Sequence, residues 1–395
     1  MNRLEALIEQ YCPEGVDFKE LGELGEFYGG LTGKNKNDFL DGKARFIPYM
    51  NVFSNIEVNT EIDTFVRVDE NELQNKVEYG DVLFTGSSET PDECGMSSVL
   101  TKEVNEPLYL NSFCFGYRLS DKSLFLPGFL KYLFRDENIR KQIGQTASGV
   151  TRFNVSKKRF AKVQIPIPPL AIQEEIVNIL DKFTSLEAEL EAELEARKSQ
   201  YDYYRNQLLN FEDKEVEWKT LGEVCDMKAG KSISSSDIAE AHSDNYSYPC
   251  IGGNYIRGYV KSFSHEGEFP IIGRQGALCG NICYVKGRFY ATEHAVVVTP
   301  KELFNSRFFY YLLISMDLNQ YATGGAQPGL SVNKLERISI PIPPLSEQER
   351  IVAILDKFDA LVNDISEGLP AEIRARRKQY EYYRNKLLTF NPVVN

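Results

Sequence analysis

The sequence predicts an α+β chain with a pseudo-two-fold internal repeat, in which two globular domains are separated by two long antiparallel helices. Three observations predict it. Residues 165–183 read IPIPPLAIQEEIVNILDKF and residues 340–358 read IPIPPLSEQERIVAILDKF, a match too long for chance. Further along, QYDYYRNQLLNF from Gln200 recurs as QYEYYRNKLLTF from Gln379. Between these anchors the apolar residues follow alternating steps of four and three, as a coiled-coil seam requires.

A chain of 395 residues has room for two or three domains, each with its own core. The repeats place a first domain at 1–165 with a short N-terminal helix, and a central helix at 166–211. A second domain follows at 212–340 and a C-terminal helix at 341–390, kinked near 368–370. The globular parts correspond more weakly: VDFKELGE from Val16 with VEWKTLGE from Val216, and Thr32-Gly33-Lys34 with Ala229-Gly230-Lys231. Residues Leu4 to Tyr11 align with Tyr204 to Phe211. The organisation is therefore close to cyclic, and the two chain ends should lie near each other.

Prolines 166, 168 and 169 cannot sit inside a helix, so they end a short extended segment, Val163 to Ile167, before the first periodic run. Pro341, Pro343 and Pro344 do the same in the second copy. There Ser346 and Glu349 read as an S-x-x-E capping box, while Ala171 weakens the corresponding cap of the first copy. The expected seam runs Ile172, Ile176, Ile179, Phe183, Leu186, Leu190, and resumes through Tyr201, Tyr204 and Leu208. A step of four from Leu190 to Leu194 is a stutter within LEAELEAELEA, Leu186 to Ala196. The second seam is Ile351, Ile354, Phe358, Leu361, Ile365. Its two steps of four, through Leu369 to Ile373, place four extra residues at the same spot and preserve the facing side. Gly368 and Pro370 break or kink this helix. Each helix of about 40–45 residues should be roughly 60–65 Å long.

The net charge of −12 opposes non-specific coating of nucleic acid, because affinity for phosphate comes from accumulated Lys and Arg. The acidity is uneven, with −5 on the short segment 166–211, −5 on 1–165, −2 on 212–340 and 0 on 341–395. Seven cysteines scattered from Cys12 to Cys283 suit a reducing compartment. Without a signal-like start or an apolar run of about 20 residues, a cytoplasmic protein is expected, with no membrane partner. Gly230-Lys231-Ser232 resembles the end of a P-loop, but Cys225 stands where the first glycine belongs, and Gly33-Lys34 is followed by Asn35. Cys279 and Cys283 have no ligand-spaced histidine pair near them, His265 and His294 being wrongly placed, so core thiols are expected and no metal.

The constellation of IPIPPL, then QE, then a long helix bearing QYxYYRxxLL, present twice around divergent domains, resembles the specificity subunit of type I restriction-modification systems. The likeness covers nearly the whole chain. It implies that each domain is an α/β target recognition domain with small mixed β-sheets, reading one half of a bipartite, non-palindromic DNA site. The helices would form the spacer and dock partners. The resemblance implies no catalytic residue and no cofactor in this chain. Two modification subunits would bring S-adenosylmethionine, and two restriction subunits ATP and Mg; double-stranded DNA is the remaining partner. The chain itself lacks an Asn-Pro-Pro-aromatic methyltransferase motif, the nearest string being Asn391-Pro392-Val393. A structural coiled-coil adaptor, and the specificity chain of another, type II-like restriction-modification system, remain as alternatives.

For DNA contact the first domain offers Lys34, Lys36, Lys43 and Arg45 near its start, polar loops at Ser87-Ser88-Glu89 and Thr146 to Thr151, and Arg152, Lys157, Lys158 and Arg159 near its end. The second offers Lys231, Ser232, Asn254, Arg257, Arg274, Gln275, Gln327 and Lys334. These side chains reach phosphates or base edges, and glycine-rich surroundings let backbone approach a duplex. Each alone is an ordinary solvated surface group; the sets carry the expectation. Tyr203 and Tyr382, off the helix seam, and Arg205 and Arg384 beside them are the candidates for contact with a modification subunit. The LEAE repeat is a candidate ruler: four helical residues add about 6 Å and about 40° of rotation.

Overall fold

A computed structural model describes residues 2–253, 255–276, 278–323, 328–364 and 366–393. The chain divides into two units, Met1–Glu189 with Arg374–Asn395, and Leu190–Ile373. Each unit is closed by a two-stranded ribbon built from the repeated frames. Phe18–Glu20 pairs antiparallel with Gln164–Pro166, and Glu217–Thr220 with Ser339–Ile342. Two strands leave each an unpaired edge, where a proline without an N–H is tolerated. After the ribbon strand comes one helical turn, Leu21–Leu24 or Leu221–Val224. It starts with the backbone N–H of Glu20 donating to Glu23 (3.0 Å), or that of Thr220 to Glu223 (2.7 Å). The helix-start signature thus lies in VDFKELGE and VEWKTLGE.

Among the described residues, the first unit holds a four-stranded antiparallel sheet in the order Gly25–Gly29, Cys114–Leu119, Val82–Thr85, Ser97–Val99. A small mixed sheet joins Phe65–Val66, Ala44–Ile47 and Leu108–Leu110, and a third joins Ala147–Ser148, Phe153–Val155 and Ser87–Ser88. The second unit has one mixed sheet of six among the described residues, ordered Cys225–Ala229, Ala295–Pro300, His265–Gly273, Ile282–Ala291, Tyr248–Gly252, Tyr255–Val260. In both units the main core lies between the sheet, a helix rich in aromatics (Pro127–Leu133 or Ser306–Ser315) and the start of a long helix.

That helix start is fixed by a buried glutamine. Gln173, fully buried, accepts from the backbone N–H of Leu126 (2.9 Å) and donates to the carbonyls of Leu124 (2.9 Å) and Pro168 (2.7 Å). Gln348, equally buried, accepts from Asn305 (2.8 Å) and donates to Leu303 (2.9 Å) and Pro343 (2.8 Å). Two turns on, Asp181 accepts from the Tyr132 hydroxyl and Asp356 from that of Tyr311. Burial first, then this hydrogen bond, pushes both phenols above their ordinary range, so both remain donors.

Two helix expectations need correction. Ser346 does not cap: the helix Leu345–Asn363 begins one residue earlier with Pro344 as its cap, leaving Ser346 inside the first turn. Pro169 stands just before Leu170–Leu208 in the same way, so Ala171 weakens nothing. Nor is there a single seam. Ile172, Ile176 and Leu180, and in the second copy Ile351 and Leu355, are fully buried against their own domain. Phe183 instead stacks on Tyr383 at 5.4 Å, and Glu187 pairs with Arg377 (2.5 Å), rising numbers against falling ones, which makes these two segments antiparallel. In the second unit Tyr201 and Tyr204 meet Phe358 at 6.4 and 5.6 Å. Leu186 and Leu361 are exposed instead of packed, and Ile365 lies outside the described residues.

The four extra residues of the second copy do not extend a helix. They form a break between Leu345–Asn363 and Leu369–Leu388. Asp364 accepts from the N–H groups of Ser366 (2.7 Å) and Glu367 (3.2 Å), and a Cβ on Gly368 would run into the carbonyl of Ala360. Pro370 follows in the first turn of the next helix, where its missing N–H costs nothing. The chain end then completes the first unit: Tyr380, Tyr383, Leu387, Leu388 and Phe390 join its core, and the N–H of Val16 donates to Asn391 (2.8 Å). Tyr201, Leu208, Leu209 and Phe211 do the same in the second unit.

Replacing Gln348 with alanine strands the buried N–H of Asn305 and two carbonyls. Gln348→Ala should cost on the order of 2–4 kcal/mol, each orphaned buried group costing about 1–3 kcal/mol. Urea unfolding of the full chain measures it, and a loss below about 0.5 kcal/mol would show that the amide holds nothing.

Candidate nucleic-acid interface

At one end of each main sheet five backbone hydrogen bonds recur. In the first unit Gly30 donates to Cys114 (3.3 Å), Leu31 to Leu110 (2.8 Å), Asn111 to Ile47 (3.0 Å), Gly86 to Phe113 (2.8 Å) and Val155 to Gly86 (3.0 Å). In the second, Gly230 donates to Ala295 (3.0 Å), Lys231 to Ala291 (3.0 Å), Thr292 to Ile251 (2.9 Å), Arg274 to His294 (3.0 Å) and Leu330 to Arg274 (2.9 Å). The turn at the centre of this crest is Asn111 to Phe113 in one unit and Thr292 to His294 in the other. The frame corrects one sequence pairing: the counterpart of Gly230-Lys231 is Gly30-Leu31, not Gly33-Lys34. A Cβ on Gly30 or Gly230 would run into the carbonyl of Asn111 or Ala291, whereas Gly33 has open space and a left-handed φ of +69°. The frame also pairs Cys94-Gly95 with Cys279-Gly280, both glycines left-handed and both cysteines buried.

In the first unit the crest gathers part of the predicted set. Ser87 and Ser88 form a strand against Phe153–Val155 and are themselves buried; Ser88 donates to Glu93 (3.1 Å). Arg152, exposed, donates to the Ser87 hydroxyl (3.2 Å) and lies 5.8 Å from the ring of Phe113. Lys157 and Lys158 are exposed on the adjoining turn Lys157–Phe160, whose Arg159 donates to the carbonyls of Thr146 (2.7 Å) and Ala147 (3.0 Å). The other four basic residues stand apart. Lys34 is ion-paired with Glu72 and only 9% exposed, so its charge is committed to the fold. Lys36 and Lys43 are exposed. Arg45 lies at the far end of its strand from the crest, in a groove of about 710 Å³ shared with Glu61, Asp63 and Glu106.

The second unit gathers more. Lys231 and Ser232 follow Cys225–Ala229, Arg257 donates to Ser235 (3.1 Å), and Arg274 and Gln275 leave His265–Gly273 beside His294. Burial first holds the Cys250 thiol above its ordinary range, with Arg257 lowering it and Glu293 raising it. Lys334 is exposed on Val332–Leu335, the counterpart of Arg159. Asn254 and Gln327 lie outside the described residues. Reasoning from sequence missed Phe113, Glu293 and His294, because a lone aromatic or acidic residue in a turn carries no motif; only the hydrogen-bonded frame marks it.

On the helices, Tyr203 is 58% and Tyr382 61% exposed, each edge-on to its neighbour Tyr204 or Tyr383. Tyr203 opens onto a groove of about 450 Å³ with Asn206, Gln207, Asn210, Asp213 and Lys214. Arg205 and Arg384 lie over the rings of Tyr201 (5.3 Å) and Tyr380 (5.5 Å), and Arg205 pairs with Asp202 (2.9 Å). Among the described residues no group of three or more His, Cys, Asp or Glu is placed to hold a metal ion, and no helix is long and apolar enough to cross a membrane.

The chain is 53% identical over 227 residues to the type I restriction enzyme EcoprrI specificity subunit of Escherichia coli, covering 54% of this chain and 57% of that one. It is 40% identical over 265 residues to the EcoR124I/EcoR124II specificity subunit of Escherichia coli, covering 60% and 64%. The matches thus span less than two thirds of either relative. The fold is shared with the crystal structure of the type I restriction-modification system S subunit from M. genitalium, with a TM-score of 0.55, 18% identity, and 95% and 96% of the two chains covered. The type I restriction modification DNA specificity domain matches twice, over residues 13–196 and 213–375, and the chain therefore belongs to that family.

Proposed function

We propose that this chain is the non-catalytic DNA-specificity subunit of a type I restriction-modification complex, each unit reading one half of a bipartite, non-palindromic site. The observation that carries the reading is the crest: one backbone frame, present twice, offers Ser87, Arg152 and Phe113 in one unit and Gln275, Arg274 and His294 in the other. Two unlike readers on like scaffolds fit two unlike half-sites. On this reading the repeated helical faces dock two modification subunits, which supply S-adenosylmethionine chemistry, and two restriction subunits bring ATP and Mg; the setting is the cytoplasm. Single-molecule methylation mapping in a host expressing the complex tests it. A split adenine-methylated motif is expected, and methylation without a split motif would sink the reading.

The helix Leu170–Leu208 runs unbroken through LEAELEAELEA, where Leu186 is exposed and Leu190 and Leu194 only half-buried. Leu186 and Leu190 belong to neither core, so a unit can be added between them, ahead of Leu194, which packs on the core of the second unit. Inserting one LEAE is expected to change the spacer between half-sites by one or two base pairs, a rise of about 6 Å against about 3.4 Å per base pair, and to leave both half-site sequences intact. An unchanged spacer in the methylome would refute the ruler.

Tyr203 and Tyr382 carry exposed rings at equivalent places, so their loss should spare the fold and weaken the dock. Tyr203→Ala with Tyr382→Ala is expected to leave the unfolding midpoint within about 0.5 kcal/mol of the parent, the usual range for surface changes. The same variant should lower co-purification of the modification subunit at least severalfold. Undiminished co-purification would remove these rings from the dock.

A further inference from the structure

The two crests are held by the same bonds but present opposite chemistry, and the difference is concentrated in one turn. In the first unit the turn, Asn111-Ser112-Phe113, is satisfied and displays an aromatic ring. Asn111 accepts from the N–H of Phe113 (2.9 Å), while Phe113 is 58% exposed with the Arg152 guanidinium over its ring. In the second unit the turn is polar and unsatisfied. Thr292 is fully buried with its hydroxyl unpartnered; Glu293 Oε2, His294 Nδ1 and Arg274 Nε are likewise buried atoms without a hydrogen-bond partner. The other oxygen of Glu293 is engaged, facing His294 Nε2 at 3.4 Å. Buried polar groups are normally paired, and the Glu293 and His294 side chains are each 40% exposed, so the pair reaches the surface, where a polar partner can complete its bonding.

We infer that Phe113 and the Glu293-His294 pair are the specificity-determining residues of the two crests, touching one base pair in each half-site. The inference rests on the proposed function and names the residues that carry it. Their chemistry commits to a base class. An exposed phenyl ring beside an arginine fits the methyl group of thymine, which only an A·T pair presents in the major groove. A carboxylate held by a histidine fits the exocyclic amino group of cytosine, whose outer neighbour is a C–H; the amino group of adenine is flanked by two acceptors, its own N7 and the thymine O4, which repel a carboxylate. The half-site read by the first unit therefore carries an A·T pair at the crest, and that read by the second unit a G·C pair. The backbone frame holds each turn from both sides, through Asn111 and Phe113 or Thr292 and His294, so these side chains meet a base edge with little freedom to adapt.

The test is selection of sites from a DNA library randomised at both half-sites, by the purified complex of this chain with its modification subunit. Parent, Phe113→Ala, His294→Ala and Glu293→Gln are compared, with Phe113→Leu and His294→Gln as milder forms should the first set assemble poorly. Phe113→Ala should lower preference about tenfold at one A·T pair of one half-site, leaving the other half and the spacer as they were. His294→Ala and Glu293→Gln should do the same at one G·C pair of the other half. Unchanged preferences, or a uniform loss of binding across both halves, overturn the inference while the parent still selects a split site. A parent that selects no split site overturns the proposed function itself, and the inference with it.

Discussion

A neutral amide buried at the foot of each long helix sets the geometry on which everything else rests. Gln173 and Gln348 each tie three backbone groups: two from the loop before the aromatic-rich helix and one from the proline run. A longer-range charge pair would need desolvation that a neutral amide avoids. Its three bonds also define a direction, which an apolar contact does not. The stripe that follows, Ile176 with Leu180 or Ile351 with Leu355, then supplies burial without having to choose the register.

Because the latch is polar and complete, the first two turns of the helix belong to the domain, and only later residues are available to pair with another helix. This is why IPIPPL, QE and LDKF recur letter for letter. Those letters are the proline cap, the latch, the stripe and the aspartate that accepts from tyrosine. It also explains why the periodic run read as one seam when it is two faces. Steps of four and three serve a helix packed on a sheet domain as well as one packed on another helix, and Leu180 and Leu355, the residues that separate the two readings, differ from the seam by a single position.

The repeat, the family and the long helices were legible because they rest on periodicity and on prolines, which act locally. The break at Gly368 was legible for the same reason. The crest was not. Its frame is made of backbone N–H and C=O groups joining Gly86 to Phe113 and Arg274 to His294, residues that share no letters, across loops of different length. Charge was misleading in its own way. Lys34 looked available in sequence, yet Glu72, 38 residues later, takes up its charge. Arg118 is held by the fully buried Asp81 and Arg307 by Asp356 and Asp359. A count of basic residues overstates what a net charge of −12 leaves for phosphate.

A scaffold that fixes its recognition turns through main-chain bonds makes few demands on the side chains it displays. The glycines at Gly30 and Gly230 are required, since any Cβ would meet a carbonyl, and the left-handed Gly95 and Gly280 shape the return of the loop. Between those fixed points Phe113 can stand where His294 stands, and Ser87 where Gln275 stands, with the same hydrogen bonds beneath them. Stability and specificity are then carried by different atoms. Sequence can drift at the crest while the latch, the ribbon and the buried stripe stay constant, and two copies of one fold can come to present two unrelated surfaces.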